Sequence, residues 1–277
     1  MGDLDRLLSV LSEARRRLFR IALVLGPLFG FLLVFQIQLV PFTLGPFTTA
    51  FPLPIPNLFY NVTAQVFVWL KTNMLPANVQ LLNIGVGDSV MVEMEIGLLL
   101  TAILGMPWIV HELGAFLVPA LRSSERRLLR SIGIPATILF VVGFLAGLFI
   151  LTPFTYIILF EYVGALGLAP VMGVQDFVTF TLLYSLAFGI VCELPVFIYA
   201  LTRLGVVEAS TWKKHWRAAV IGSLIFGMII TPDNSGITMI LIAVPMMGLY
   251  FGGAFFASRY ELRHHAKQPS LPLAKAG

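Results

Sequence analysis

Apolar residues in this chain run in long blocks, and the polar residues gather in the turns between them. That is neither the alternation of a half-buried strand nor the stripe of a soluble helix. About 20 consecutive apolar residues cross a ~30 Å hydrocarbon core when helical. The blocks predict six membrane spans, at about 19–40, 89–118, 129–160, 177–204, 218–231 and 237–257. The second and third reach roughly 45 Å at 1.5 Å per residue, so they tilt, kink or project. Pro135 and Pro153 are the expected bend points of the third. The fifth is short. Its roughly 21 Å end where Pro232-Asp233-Asn234-Ser235-Gly236 forces a turn.

The segments between the spans have characters of their own. Leu4, Leu7, Leu8, Leu11 and Leu18 form a helical stripe beside Arg15, Arg16 and Arg17, which suits an amphipathic helix on a membrane surface. Arginines followed by an apolar run also resemble a twin-arginine export signal. The run continues to about Val40 with no small-residue cleavage site, so it reads as a retained first span. Residues 41–88 form a proline-rich extracytoplasmic cap, with an interfacial helix over Asn57–Asn73 and the glycosylation triplet Asn61-Val62-Thr63. Residues 161–176 read as a loop, 208–217 as a basic turn and 261–277 as a disordered basic cytoplasmic tail. A single membrane domain is left over 1–260.

Charge sets the orientation. Seventeen of the 18 Lys and Arg residues fall in the N-terminal segment, the turns after spans 2 and 4, and the tail; Lys71 is alone on the other side. The positive-inside rule then predicts that both termini are cytoplasmic. Only 12% of residues are charged, against about 25% in soluble domains. The sequence pI of 9.4 is therefore a topology signal, with no nucleic-acid partner implied. The lone Cys192 excludes an intramolecular disulfide.

Strings that suggest enzymes fail on inspection. Gly85-Val86-Gly87-Asp88 looks like an intramembrane protease motif but has no second intramembrane aspartate. His111-Glu112 begins an H-E-x-x-H, but Ala115 stands where the second histidine belongs. No P-loop occurs, and no cofactor or metal is implied. Glu93 and Glu95 open span 2 at the outer interface. Glu112 and Phe116 share a face near its other end. Glu193 lies near mid-bilayer, where a charge costs at least ~2.5–3.5 kcal/mol, and Pro195 bends the helix beside it. Two readings of Glu193 stand: a functional acid, as in an ion- or proton-coupled secondary transporter, or a protonated group bonding two helices. The transporter reading lacks the internal repeat such proteins show.

Between spans 2 and 3, Phe116-Leu117-Val118-Pro119-Ala120-Leu121 is followed by Ser124-Glu125-Arg126-Arg127. This resembles the F-x-x-P-A-L-…-E-R-R signature of TatC, the receptor subunit of the twin-arginine protein translocase. Ser12-Glu13-Ala14-Arg15-Arg16-Arg17-Leu18 is similar to that family's N-terminal E-L-R-x-R segment, with Ala14 for leucine and Val10 for a usual histidine. Glu193-Leu194-Pro195-Val196 looks like its E-x-P-V. Gly227 to Asp233 is similar to its turn between two short final spans, and Ala243-Val244-Pro245-Met246 to its last span. The cap at 41–88 matches poorly and is long, as in archaeal members.

The resemblance implies an all-α, concave, glove-like bundle of six transmembrane helices in a prokaryotic cell membrane, not an enzyme. It implies that Glu13, Arg15, Arg17, Phe116, Glu125 and Arg126 bind the twin-arginine signal peptides of folded substrates. Two carboxylates suit two guanidiniums, because they accept paired, charge-assisted hydrogen bonds. Neighbouring arginines keep these acids ionised and form internal pairs that a substrate must displace. The resemblance also implies single-span TatA- or TatB-type partners near Glu193, Glu112, Met228 and Asp233, contact with membrane lipid, and export driven by the proton-motive force. Self-association is left open.

Overall fold

The computed structural model describes residues 3–44, 47–117, 123–231 and 236–265, with backbone alone at 3–9, 42–44, 47–50, 113, 117, 123–131 and 264–265. Five helical stretches are long and apolar enough to cross a membrane: Val10–Val34, Asp88–Phe116, Ile132–Ala165, Val174–Arg203 and Ile237–Arg263. A sixth apolar helix, Trp216–Ile230, is shorter. The fold class expected from hydropathy holds, while several limits move.

Helix α1 (Asp3–Val34) joins the amphipathic segment and the first span into one 32-residue helix, and Pro27 does not interrupt it. It ends at Val34, not near Val40. Residues 35–56 instead form a hairpin of β1 (Phe35–Leu44) and β2 (Phe47–Pro56), where the sequence predicts the end of the first span and, from 41, the proline-rich cap. In its register Pro41 faces Ala50, Pro52 faces Leu39, Pro54 faces Ile37 and Pro56 faces Phe35. All four prolines thus fall on one class of alternating pair, the class in which no N–H is donated to the partner strand. Proline is tolerated in a strand only at such positions.

The hairpin returns directly onto the end of α1. The Asn57 N–H donates to the Val34 carbonyl at 2.8 Å, and Asn61 Nδ2 donates to the Leu33 carbonyl at 2.9 Å. Two of the four carbonyls that a helix C-terminus leaves unpaired are thereby satisfied. Asn61 Oδ1 also caps α2 (Val62–Met74), accepting from the Ala64 N–H at 2.8 Å and from Thr63 Oγ1 at 2.6 Å. Its amide donates further to Glu93 Oε2 on α3 (Asp88–Leu117) at 2.8 Å. One buried asparagine ties three helices together. At the first residue of α3, Asp88 Oδ2 accepts from the Gly85 N–H at 2.7 Å, so the G-x-G-D string is the entry turn of a helix.

Helix α1 lies along a face of α3 made of Gly97, Thr101 and Gly105, four residues apart. A Cβ on Gly97 would stand 2.9 Å from the Phe29 ring, and one on Gly105 would run into Leu25. Small residues at this spacing let membrane helices approach closely. Thr101 Oγ1, buried on this face, has no hydrogen-bond partner among the described residues.

The third span is α4 (Ser123–Ala146), a π-helical turn over Gly147–Leu151, and α5 (Thr152–Ala165). Pro153, at the start of α5, cannot donate to the preceding turn. The wider π turn absorbs this, with Thr152 Oγ1 donating to the Gly147 carbonyl at 2.9 Å. The irregularity at Pro153 thus takes the form of a π turn that begins a turn earlier, and Pro135 stays inside α4. The expected 161–176 loop is shorter too, because α5 runs to Ala165 and β4 (Val171–Gly173) pairs in parallel with β3 (Gln80–Leu82).

The fourth span, α6 (Val174–Cys192) and α7 (Leu194–Arg203), breaks at Glu193 ahead of Pro195. Most of the core lies where α6 meets α2, α3 and α5, around Tyr156, Phe177, Phe180, Tyr184 and Phe188. The buried Tyr156 hydroxyl donates to the Phe177 carbonyl at 3.0 Å. A Cβ on Gly147 would stand 3.0 Å from Ser185 Cα, so α6 packs backbone to backbone against the π turn.

Only one of the last two spans is short. Helix α9 (Trp216–Ile230) has 15 residues, whereas α10 (Ile237–His265) has 29 and continues past Ala257 into the segment expected to be a disordered tail. Residues 266–277 lie outside the described part. The short α8 (Ala209–Lys214) locks the turn before α9: Trp212 Nε1 donates to Thr202 Oγ1 at 3.0 Å, and Tyr250 on α10 donates to the Trp212 carbonyl at 2.7 Å.

Candidate functional site

Glu13 and Arg17 are one turn apart on α1, and their side chains join there. Arg17 Nη2 and Nε donate to Glu13 Oε1 at 2.6 and 3.1 Å. The same guanidinium reaches across to α3, where Nη1 donates to Glu112 Oε2 at 3.2 Å. Glu112 is 3% exposed and lies on the last turns of α3, next to the half-buried Phe116. Glu13 remains open to solvent on its outer side, with 44% of its side-chain surface accessible. The result is a three-membered cluster of acid, guanidinium and acid, closed on the α3 side and open on the α1 side. Two carboxylates held this way accept charge-assisted hydrogen bonds from guanidinium groups.

Sequence reasoning had placed Arg17 and Glu112 in different sites, one for substrate and one for a partner. The structure puts them in the same cluster, 95 residues apart in the chain. No local pattern could signal that contact. Arg15 and Arg16 are exposed on α1, and among the described residues the ion pairs are those of Arg17 alone. Glu125 and Arg126 lie in the first turn of α4, with their side chains outside the described part. Five residues separate α3 from α4, so at most ~3.6 Å per residue keeps that turn within reach of the end of α3.

The remaining expected residues lie elsewhere. Glu193 is half-buried at the α6–α7 break, with no cation within ion-pair distance among the described residues. Met228 is exposed on α9, in an outward stripe with Ile221, Ile225 and Ile229. Asp233 lies outside the described residues. No group of three or more His, Cys, Asp or Glu among the described residues could hold a metal ion.

Residues 9–245 match the family model for the Sec-independent protein translocase protein TatC. The chain belongs to the TatC family. It is 38% identical over 251 residues to the TatC of Cenarchaeum symbiosum, covering 91% of this chain and 94% of that one. Two crystal structures of the twin-arginine translocase receptor TatC share its fold. One gives a TM-score of 0.70 at 24% identity over 91% of this chain and 99% of that one. The other, in the detergent DDM, gives 0.69 at 25% identity over 90% and 99%. TatC proteins are translocase components, not enzymes, so the failed enzyme strings belong to structure. The matched span contains Glu13, Arg17, Glu112, Phe116, Glu125 and Glu193. It also takes in the poorly matching cap, whose hairpin and α2 close the end of the bundle opposite the arginines.

Proposed function

We propose that this chain is the receptor of a twin-arginine translocase in a prokaryotic cytoplasmic membrane, with both termini cytoplasmic, and that the cluster around Arg17 is part of its signal-peptide site. The observation that carries the reading is the occupancy of Glu13. Its carboxylate already holds one guanidinium, through Oε1, while its outer side stays open. A twin-arginine peptide would replace or extend that internal pair. Glu125 and Arg126, in the next helix turn to follow α3, would supply the second acid and its counter-charge. Phe116 would begin a groove for the apolar part of the signal. Exposed ion pairs contribute only ~0.2–1 kcal/mol each, so most affinity would come from apolar contact and the membrane interface.

The outward stripe of α9, with Met228 near its C-terminal end, supports packing of a TatA- or TatB-type single-span partner. Export would draw on the proton-motive force. The test of the site is photocrosslinking of a twin-arginine signal peptide to the full-length chain in membranes. Glu125→Ala is expected to abolish the crosslink at unchanged protein level and fold, and Glu13→Ala to weaken it by roughly tenfold. Undiminished crosslinking in Glu125→Ala would reject the assignment.

A further inference from the structure

A groove of about 790 Å³ opens between α4, α7 and α10, away from the Arg17 cluster. Its lining changes character along the helices. Along α7 and α10 the walls are apolar toward mid-span, with Pro195 and Val196 from α7 and Phe256 from α10, and Ile132 and Pro135 of α4 add apolar lining. Toward the helix ends three guanidiniums converge on it, Arg203 at the last residue of α7 and Arg259 and Arg263 one turn apart on α10. Tyr199 and Tyr260 stand between the two zones, their rings edge to face at 5.4 Å.

The helices are pinned just below the groove. A Cβ on Gly253 would stand 2.9 Å from Pro195 Cα, so α10 touches α7 there. Beyond that contact the rings of Phe256 and Tyr260 line the gap.

None of the three arginines has a carboxylate within ion-pair distance among the described residues. Arg203 lies over the Tyr260 ring at 5.9 Å and Arg259 over the Phe255 ring at 4.7 Å, contacts that orient a guanidinium without neutralising it. Glu261, the nearest acid in sequence, does not line the groove. Three like charges around one partly apolar cavity repel each other unless an anion sits among them. The same charges exclude a twin-arginine peptide, so this groove is separate from the proposed receptor site.

We propose that the groove binds an anionic phospholipid, its phosphate held by Arg203, Arg259 and Arg263 and an acyl chain lying along Pro195, Val196 and Phe256. Guanidiniums match phosphate oxygens with paired hydrogen bonds, and basic pockets between membrane helices take anionic headgroups. The order of the walls, charged at the helix ends and apolar toward mid-span, is that of one lipid in one leaflet.

The test uses the full-length protein in nanodiscs of phosphatidylcholine with a minor fraction of phosphatidylglycerol, then native mass spectrometry of the lipids retained on release. The unmodified chain is expected to retain phosphatidylglycerol in preference to phosphatidylcholine. The Arg203→Gln/Arg259→Gln/Arg263→Gln variant is expected to lose that preference roughly tenfold. Arg217→Gln, which removes an arginine stacked on Trp216 outside the groove, is expected to keep it. Val196→Trp fills the apolar half with all charges intact and is expected to lose retention as well, which covers a triple variant that fails to fold. Unchanged preference in the triple variant or in Val196→Trp overturns the proposal. So does displacement of the lipid by excess inorganic phosphate, which would mark a free-anion site.

Discussion

Arg17 bonds two acids at once, and only one of them is its neighbour on the helix. Its pair with Glu13 follows from a four-residue spacing that any helical reading of the first 20 residues contains. Its pair with Glu112 does not. That contact exists because the Gly97–Gly105 face of α3 lets α1 lie close enough for a side chain to reach across. Glu112 is almost fully buried, so its loss would leave a polar gap and a guanidinium with one partner fewer. Glu112→Ala is expected to lower the thermal midpoint in detergent by several degrees, and Glu112→Gln, which keeps an acceptor oxygen, to recover most of it. Equal midpoints for the alanine variant and the unmodified chain would show that the contact does not hold α1 to α3. Each of these residues was singled out from the sequence by its charge. Their common membership of one cluster was not, because it depends on packing between distant segments.

Elements were legible in proportion to their length and apolarity. The long spans declared themselves, and so did the break ahead of Pro195, because a missing N–H has a local cause. The hairpin over 35–56 did not, although Pro52, Pro54 and Pro56 carried a signal in their two-residue spacing. A cluster of prolines ordinarily marks a loop, and only a partner strand gives that spacing a meaning. The end of α10 was misjudged for a different reason. Charged residues such as Arg259, Glu261 and Arg263 end a membrane-spanning run but do not end a helix. At 15 residues α9 reaches about 22 Å, short of the ~30 Å hydrocarbon thickness. A bilayer that thins around α9 relieves this mismatch. A nitroxide at Met228→Cys is then expected to report one depth in bilayers of different acyl-chain length. A depth that grows with chain length would show α9 immersed in lipid of ordinary thickness.

For the whole molecule, the distribution of basic residues makes the strongest statement. Among the described residues, the arginines and lysines other than Lys71 gather at one end of the bundle, while the hairpin, α2 and the β3–β4 pair occupy the other. Single cysteines in a Cys192→Ser background test the orientation this implies. Arg16→Cys and Leu262→Cys are expected to react with a membrane-impermeant maleimide only after the cytoplasmic side is opened, and Phe59→Cys in intact cells. Labelling of all three from the same side would overturn the assigned topology. Hydropathy and charge made this architecture readable before any coordinates. They were silent about the groove between α4, α7 and α10, because its members come from three separated helices and none is unusual alone.

The network around Asn61 bears on the chain's fate in a cell that attaches sugars to its surface proteins. An oligosaccharyltransferase attacks through the asparagine amide nitrogen and needs the acceptor triplet drawn out into its own cleft. Here that nitrogen is committed to Leu33, Leu58 and Glu93 at 2.8 to 3.1 Å, and the residue is 1% exposed. Once the end of α1 has docked on α2, Asn61-Val62-Thr63 is closed to modification. Any glycan there would have to be added before folding, and would then stop the three helices from meeting.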